Sequence, residues 1–261
     1  MGITKMKCHD RISPHGMGFA LSMAVLMCCS GYAFAEVDDT TCGSLQQANG
    51  PWDYRTAPKD IKQLVERPHF DRQYALVLRG GTRSELNTIG GDLDYTLRAF
   101  PNHPRALWAL DRVATVLKVE RVHMARWTLE CYFLRGLRMA PDDALIYLAY
   151  AQYLQRRGRL KEARENLDLA AKYLADEGPN VANAHYNIGL AYFDLKEFDL
   201  AQDFAERAAR GGFSLPGLKA KLQRGGHWKE RGPGEQRADS RSDDGHAPAG
   251  PLPAPEAPVA E

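Results

Sequence analysis

Apolar residues recur every three or four positions through the middle of this chain, the spacing of amphipathic helices rather than the alternation of strands. Pro104 opens a stretch in which Leu107, Leu110, Ala114 and Leu117 share one face. Its expected partner helix runs from about Arg121 to Met139 and carries Leu129, Phe133, Leu134 and Leu137, with Lys118 to Val122 as the turn between them. The pattern is then spelled twice, once from Ala144 and again from Ala182. Tyr150 falls on Ile188, Ala151 on Gly189, Leu154 on Tyr192, Leu160 on Phe198, Ala163 on Ala201 and Ala170 on Ala208. Gly158 and Lys196 occupy equivalent turn positions, and the helix-ending prolines Pro101, Pro141 and Pro179 stand 40 and 38 residues apart. Such a period predicts a solenoid of helix pairs, because one pair alone cannot bury its apolar face and must stack on a neighbour.

The flanks are less regular. Residues 36–58 are polar and turn-rich, with Gly43, Gly50-Pro51 and Pro58, and predict irregular backbone from which Trp52 and Tyr54 dock onto the solenoid. A short helix is expected from Lys59 to about Arg67, stopped by Pro68, and another from Asp71 to Arg79, ended by Gly80-Gly81. Gly90-Gly91 also reads as a helix stop, followed by a helix over Leu93, Leu97 and Phe100 with Asp92 as its N-cap and Pro101 at its end. Gly211-Gly212 closes the last pair, and Leu215-Pro216-Gly217 starts an amphipathic helix suited to cap the open end. Beyond Trp228 come six prolines, and Leu252 and Val259 are the large aliphatics, too little apolar surface to offset ordering entropy. The fold class is therefore all-α: a short helical-hairpin solenoid with an irregular N-terminal segment and a disordered C-terminal tail. The expected divisions are 1–35, 36–100 with short helices, 101–223 with the repeats and capping helix, and 224–261 as the tail.

Residues 1–35 read as an export signal. Lys5, Lys7 and Arg11 form a basic start, Met17 to Cys29 an apolar stretch, and Ala33-Phe34-Ala35 a small-x-small cleavage site before Glu36. The alternative is an uncleaved anchor, since Met17 to Ala35 is uncharged over 19 residues. Cleavage near Ala35 implies a periplasmic or secreted protein with no stable membrane insertion afterwards. It removes Cys8, Cys28 and Cys29 and leaves Cys42 and Cys131, which in an oxidising compartment invite one disulfide. The alternative reading makes Cys131 an ordinary buried thiol. Without residues 1–35 the charge balance is 31 basic to 32 acidic, a net of −1, so the basic excess of a nucleic-acid binder is missing. A hydrophobic fraction of 44% is adequate for a packed core.

The small helix-A residues, paired aromatics and spaced alanines resemble the tetratricopeptide repeat. Residues 182–208 keep Gly189, Tyr192, Phe198, Ala201 and Ala208, and residues 144–170 place Ala151 and Leu154 at the first two of these positions. Residues 104–140 depart from the pattern, with Asp111 where a small residue is usual and a long turn; residues 92–101 fit the second helix of a half-repeat. The blocks DLDYTLRAFPNH, YNIGLAYFDL and LPGLKAKLQRGGHW are also similar to a group of exported bacterial repeat proteins, itself uncharacterised. That resemblance implies a Gram-negative periplasmic setting.

The resemblance further implies a concave face built from the first helix of each pair. Arg105, Trp108 and Arg112 would come from the first pair, Leu148, Gln152, Gln155 and Arg156 from the second, and Asn183, Tyr186, Asn187 and Phe193 from the third. Arginine, amide and aromatic groups in one groove suit an extended peptide or a helix; as single residues, Arg105 and Arg112 are equally compatible with plain solvated surface. The family's carboxylate-gripping lysines are missing, so that specialised function is not carried over. There is no Gly-x-Ser-x-Gly elbow, His-Glu-x-x-His or phosphate loop, and His69, His103, His123 and His185 are scattered. Asp142-Asp143 read as charges at a helix N-terminus. The expectation is a non-catalytic scaffold or adaptor for a protein or peptide partner, with no cofactor or metal, and with envelope or polysaccharide assembly as one setting. The rival is a small-ligand-binding protein or enzyme with a site between residues 36–100 and the repeats.

Overall fold

The computed structural model describes residues 42–47, 50–175, 180–213 and 215–230, all within the compact unit Val37–Glu261. The expected signal segment 1–35, Pro179 and the tail from residue 231 lie outside the described residues. Eleven helices and no strand are found among the described residues.

Three helix pairs form the body. The first is α5 (Pro104–Leu117) with α6 (Leu129–Met139), the second α7 (Ala144–Arg156) with α8 (Leu160–Tyr173), and the third α9 (Val181–Asp194) with α10 (Phe198–Arg210). First helices α5, α7 and α9 lie side by side, and the capping helix α11 (Gly217–Arg224) packs against both α9 and α10. Most of the apolar positions expected from the sequence are inside: Leu107, Leu110, Ala114 and Leu117 in the first pair are all buried, as are Tyr150, Ala151, Leu154, Ala163 and Ala170 in the second, whereas Leu134 and Leu137 are half-buried and Leu160 is exposed. Two apolar clusters result, and α7 stitches them by giving Ile146, Tyr150 and Leu154 to one and Leu148 and Ala151 to the other. Full burial of each such leucine is worth about 1.5–3 kcal/mol, so stacking rather than helix propensity holds the array.

The N-termini are set by local chemistry. Thr128 Oγ1 caps α6 by accepting from the Cys131 N–H, and Asp143 Oδ1 caps α7 by accepting from the Leu145 N–H at 3.0 Å. Turns between paired helices share one device. Lys118, Gly158 and Lys196 hold φ of 58°, 73° and 64°, so all three pairs reverse through the left-handed region, and only the second uses the residue best suited to it.

Several expected boundaries are corrected. Helix α1 (Lys59–His69) runs through Pro68 in its last turn, where the Phe70 N–H reaches Glu66 O at 2.8 Å and closes the turn around the missing donor. Helix α2 (Asp71–Leu78) ends at Gly80 as expected, and a further short helix α3 (Arg83–Leu86) follows. Helix α4 (Gly90–Ala99) begins at the glycine pair instead of stopping there. A Cβ on Gly90 would stand 2.0 Å from His123 O, so only glycine lets the 118–128 loop close in on the helix start. Asp92 is consequently inside the first turn, not at the N-cap, and its carboxylate meets His69 Nδ1 at 2.9 Å and the Gln73 amide. Helix α6 starts eight residues later than the expected Arg121: Met124 sits at φ 63°, and the Arg126 N–H is drawn to Asp94 Oδ1 and the Tyr132 hydroxyl.

Cys42 and Cys131 form a disulfide. Beside it the buried Arg135 guanidinium donates to the carbonyls of Cys42, Gly43 and Ser44 and lies over the Trp127 ring at 3.8 Å, fixing the N-terminal segment to α6. Tyr54 docks as expected, stacked on His103 with centroids 4.0 Å apart, whereas Trp52 is tied through its N–H to Ala99 O and leaves its ring 39% exposed. At the other end the packed chain passes the expected limit of residue 223. The Gln202 amide pairs with both the N–H and the C=O of Lys229, the His227 ring stacks on Phe198 at 3.5 Å, and Trp228 packs against the second cluster.

Candidate functional site

The face formed by α5, α7 and α9 receives the residues singled out above, in different states of engagement. Trp108 is 40% exposed, with the Tyr74 ring of α2 edge-on at 5.9 Å. Arg112, one turn further along α5, is exposed. Arg105 pairs inward while half of its side chain stays exposed. Its Nη2 donates to Glu66 Oε1 at 3.2 Å, and its guanidinium lies over the Phe70 and Tyr74 rings.

On α7, Leu148 is only 7% exposed and belongs to the core between α7 and α9, so it does not line an open groove. Gln155 spends its amide on Ala191 O at 2.8 Å and acts as a strut between first helices. Gln152 is half-buried, while Arg156 reaches back to Asp111 Oδ2 at 2.5 Å and ties α7 to α5. Burial pushes the Asp111 carboxyl above the usual carboxylate range, against the pull of Arg156.

On α9, Asn183 is exposed, and the Asn187 amide donates to its carbonyl and side-chain oxygens at 2.9 and 3.1 Å. Tyr186 is half-buried against Phe213 at 4.7 Å. Phe193 meets Phe198 edge-on at 5.5 Å with the Lys221 ammonium 5.4 Å from its ring, and so belongs to the contact with the C-terminal cap. The structure thus leaves Trp108, Arg112, Asn183 and part of Arg105, Gln152, Tyr186, Asn187 and Arg156 accessible, and commits Gln155, Leu148 and Phe193 to packing.

Two residues of this face were missed from sequence. Leu145 is 41% exposed at the position equivalent to Arg105 and Asn183, so the repeat register itself pointed to it. Tyr74 extends the face because α2 packs on α5 in the place of an earlier first helix, which its short length did not advertise.

The junction between the N-terminal segment and the repeats is filled at the described residues. His103 is 0% exposed: Nδ1 accepts from the Ala106 N–H, and Nε2 lies 3.0 Å from Glu66 Oε1. The backbone donor fixes Nδ1 as the acceptor, so Nε2 carries the proton. Burial holds this imidazole below its ordinary pKa, and the hydrogen bond from His103 keeps Glu66 low in turn. Tyr54 OH completes the cluster at 2.8 Å from Glu66. A carboxylate, a histidine and a tyrosine are within contact, yet the imidazole is sealed from any substrate. Among the described residues no three His, Cys, Asp or Glu side chains gather to hold a metal, and no helix is long and apolar enough to cross a membrane.

No curated protein and no solved structure matches the chain. Residues 142–211 match the tetratricopeptide repeat family, over the two pairs in which the packing alanines and Gly189 are kept, so a tetratricopeptide-like helical repeat domain is present, of the kind that generally mediates protein–protein contact through its concave face.

Proposed function

We propose that the protein is an exported, non-catalytic adaptor that docks a protein or peptide partner on the face shared by α5, α7 and α9. The observation that carries this reading is the placement of Trp108, Leu145 and Arg112 in the open on successive first helices, while Leu107, Leu110, Val113 and Leu117 of α5 and Ile146, Leu148, Tyr150, Tyr153 and Leu154 of α7 are buried. Exposed aromatic and arginine groups beside apolar surface are the residue types that anchor interfaces, at about 2 kcal/mol or more each when truncated. Tyr74 widens the aromatic end of that face, and the exposed Asn183, held by Asn187, supplies an amide for a peptide backbone at the other. The export setting rests on the basic start, apolar stretch and Ala33-Phe34-Ala35, and the disulfide is in keeping with it. Envelope or polysaccharide assembly is the setting we favour for the partner.

Site-specific photocrosslinking in intact cells tests the reading. A benzophenone amino acid at Trp108 or Arg112 should give discrete adducts, whereas one at Lys161 on α8, whose side chain is 83% exposed, should give none. Equal labelling from all three positions, or none from Trp108 and Arg112, refutes the docking face. Intact mass of the same material should begin at Glu36; a species retaining Met1 refutes cleavage.

A further inference from the structure

The first helix pair departs from the other two in two ways. Where the later pairs place Ala151 and Gly189, it places Asp111. Where they turn in three residues, 157–159 and 195–197, it takes the eleven residues 118–128. Both departures border one crevice of about 320 Å³ at the C-terminal ends of α5 and α7. Buried Leu129 and Tyr153 form its floor. Around them stand Lys118, Arg156 and Arg157 against Asp111 and Glu120, an excess of one positive charge.

The cations are only partly used. Arg157 forks onto Glu120 and lies 5.1 Å from the Tyr153 ring centroid. Arg156 gives Nη2 to Asp111 and keeps Nε and Nη1 uncommitted among the described residues. The Lys118 ammonium makes no hydrogen bond or ion pair with any described residue. Asp111 and the first residues of the long turn, Lys118, Val119 and Glu120, all line this space. The gap therefore borders features particular to this pair, while two of its three cations, Arg156 and Arg157, come from the end of α7 and the turn after it. The volume is at the lower end for small-molecule sites, and half-apolar walls with a few converging polar groups are what such sites use.

We propose that the crevice binds a small organic carboxylate with an apolar or aromatic body. The carboxylate meets Lys118 and the spare nitrogens of Arg156, where charge-assisted hydrogen bonds are strongest, and the body rests on Tyr153 and Leu129. The excess positive charge disfavours a cationic ligand, and the apolar floor gives a bare inorganic anion nothing to cover. The inference does not rest on the docking face, with which it shares only Arg156.

Phenylacetate titrated into the full chain with its disulfide intact, followed by calorimetry and by nuclear Overhauser contacts to the Tyr153 ring, tests it. The expected result is saturable one-to-one binding with a Kd of about 0.1–1 mM, the range for so few atoms. Lys118→Asn, which tolerates the left-handed turn, should weaken it about 5-fold or more. Thr115→Leu, which fills the crevice from an exposed helix position, should abolish it with melting unchanged. Absence of saturation up to about 10 mM overturns the proposal. So does binding that neither variant changes, benzylammonium binding as tightly as phenylacetate, or inorganic phosphate binding more tightly.

Discussion

Gly189 of α9 packs tightly against α10 and the capping helix, and a side chain there tests the packing directly. A Cβ at this position would stand 2.6 Å from Leu218 Cδ2, 3.2 Å from Ala201 O and 3.2 Å from Phe204 Cβ. The first contact is the end of a flexible side chain, but the second is helix backbone that cannot step aside. Gly189→Leu gains about 0.8 kcal/mol in helix propensity. Against that stands overpacking, typically about 1–3 kcal/mol. Leu218 is fully buried and must leave its place, forfeiting part of the about 1.5–3 kcal/mol its burial contributes. The net is a loss of about 2–4 kcal/mol. Urea unfolding followed by circular dichroism, under non-reducing conditions, measures it. Gly189→Ala is the control: its propensity gain of about 1 kcal/mol is largely offset by the same three tight contacts, of which the flexible end of Leu218 can yield, so it should be near neutral. Hydrogen exchange should show α11 loosening first in the leucine variant, because Leu218 is the atom group displaced. A leucine variant within about 0.5 kcal/mol of the wild type refutes the argument, since that is the scatter of ordinary surface changes.

Lys196 holds φ 64° at the turn where the second pair uses Gly158, so Lys196→Gly should stabilise by about 0.5–1 kcal/mol, read as a raised urea midpoint at constant slope; an unchanged or lowered midpoint refutes the strain. Acid should weaken the N-terminal junction in a defined window. His103 has its pKa depressed by burial, so the stability it lends is complete above the unfolded value of about 6.5 and is lost as pH falls below it. Glu66, also depressed, adds a loss of the same sign below about pH 4.5, whereas burial raises Asp111 and Asp143, which gain stability as pH falls through their folded values and blunt the lower end. The thermal midpoint should therefore fall from pH 7.5 to 5.5, and His103→Gln should flatten that slope; a variant with the wild-type slope refutes the assignment to His103.

What the sequence made legible follows from how local each cause is. Ala163, Ala201 and Ala208 are small because helices of one pair touch there, and that requirement recurs with the period, so the two later pairs could be placed almost to the residue. The capping box of α3 was equally local, since Thr82 and Glu85 satisfy each other's backbone donors within one turn. Four residues show no apolar period, so periodicity alone does not reveal this helix. The start of α6 was a different case. Eight residues of helical composition were held out of the helix by partners 30 or more positions away, Asp94 on α4 and the Gly90 backbone, and no window on residues 121–128 contains them.

The same distinction explains the candidate site. Register alone fixes which positions of α5, α7 and α9 turn toward the shared face, and Leu145 shows that it was even more informative than the reading drawn from it. Register does not fix what a side chain is already paired with. Arg105 and Arg112 are two turns apart on one helix face and look interchangeable in the sequence, but Arg105 lies beside Glu66, Phe70 and Tyr74 of the N-terminal helices and Arg112 lies beyond their reach. Truncating Arg105 should thus loosen the junction with α1, while truncating Arg112 leaves the fold alone. An arginine belongs to a binding surface only after its intramolecular carboxylates have been counted, and those are supplied by the irregular segment that the repeat pattern does not describe.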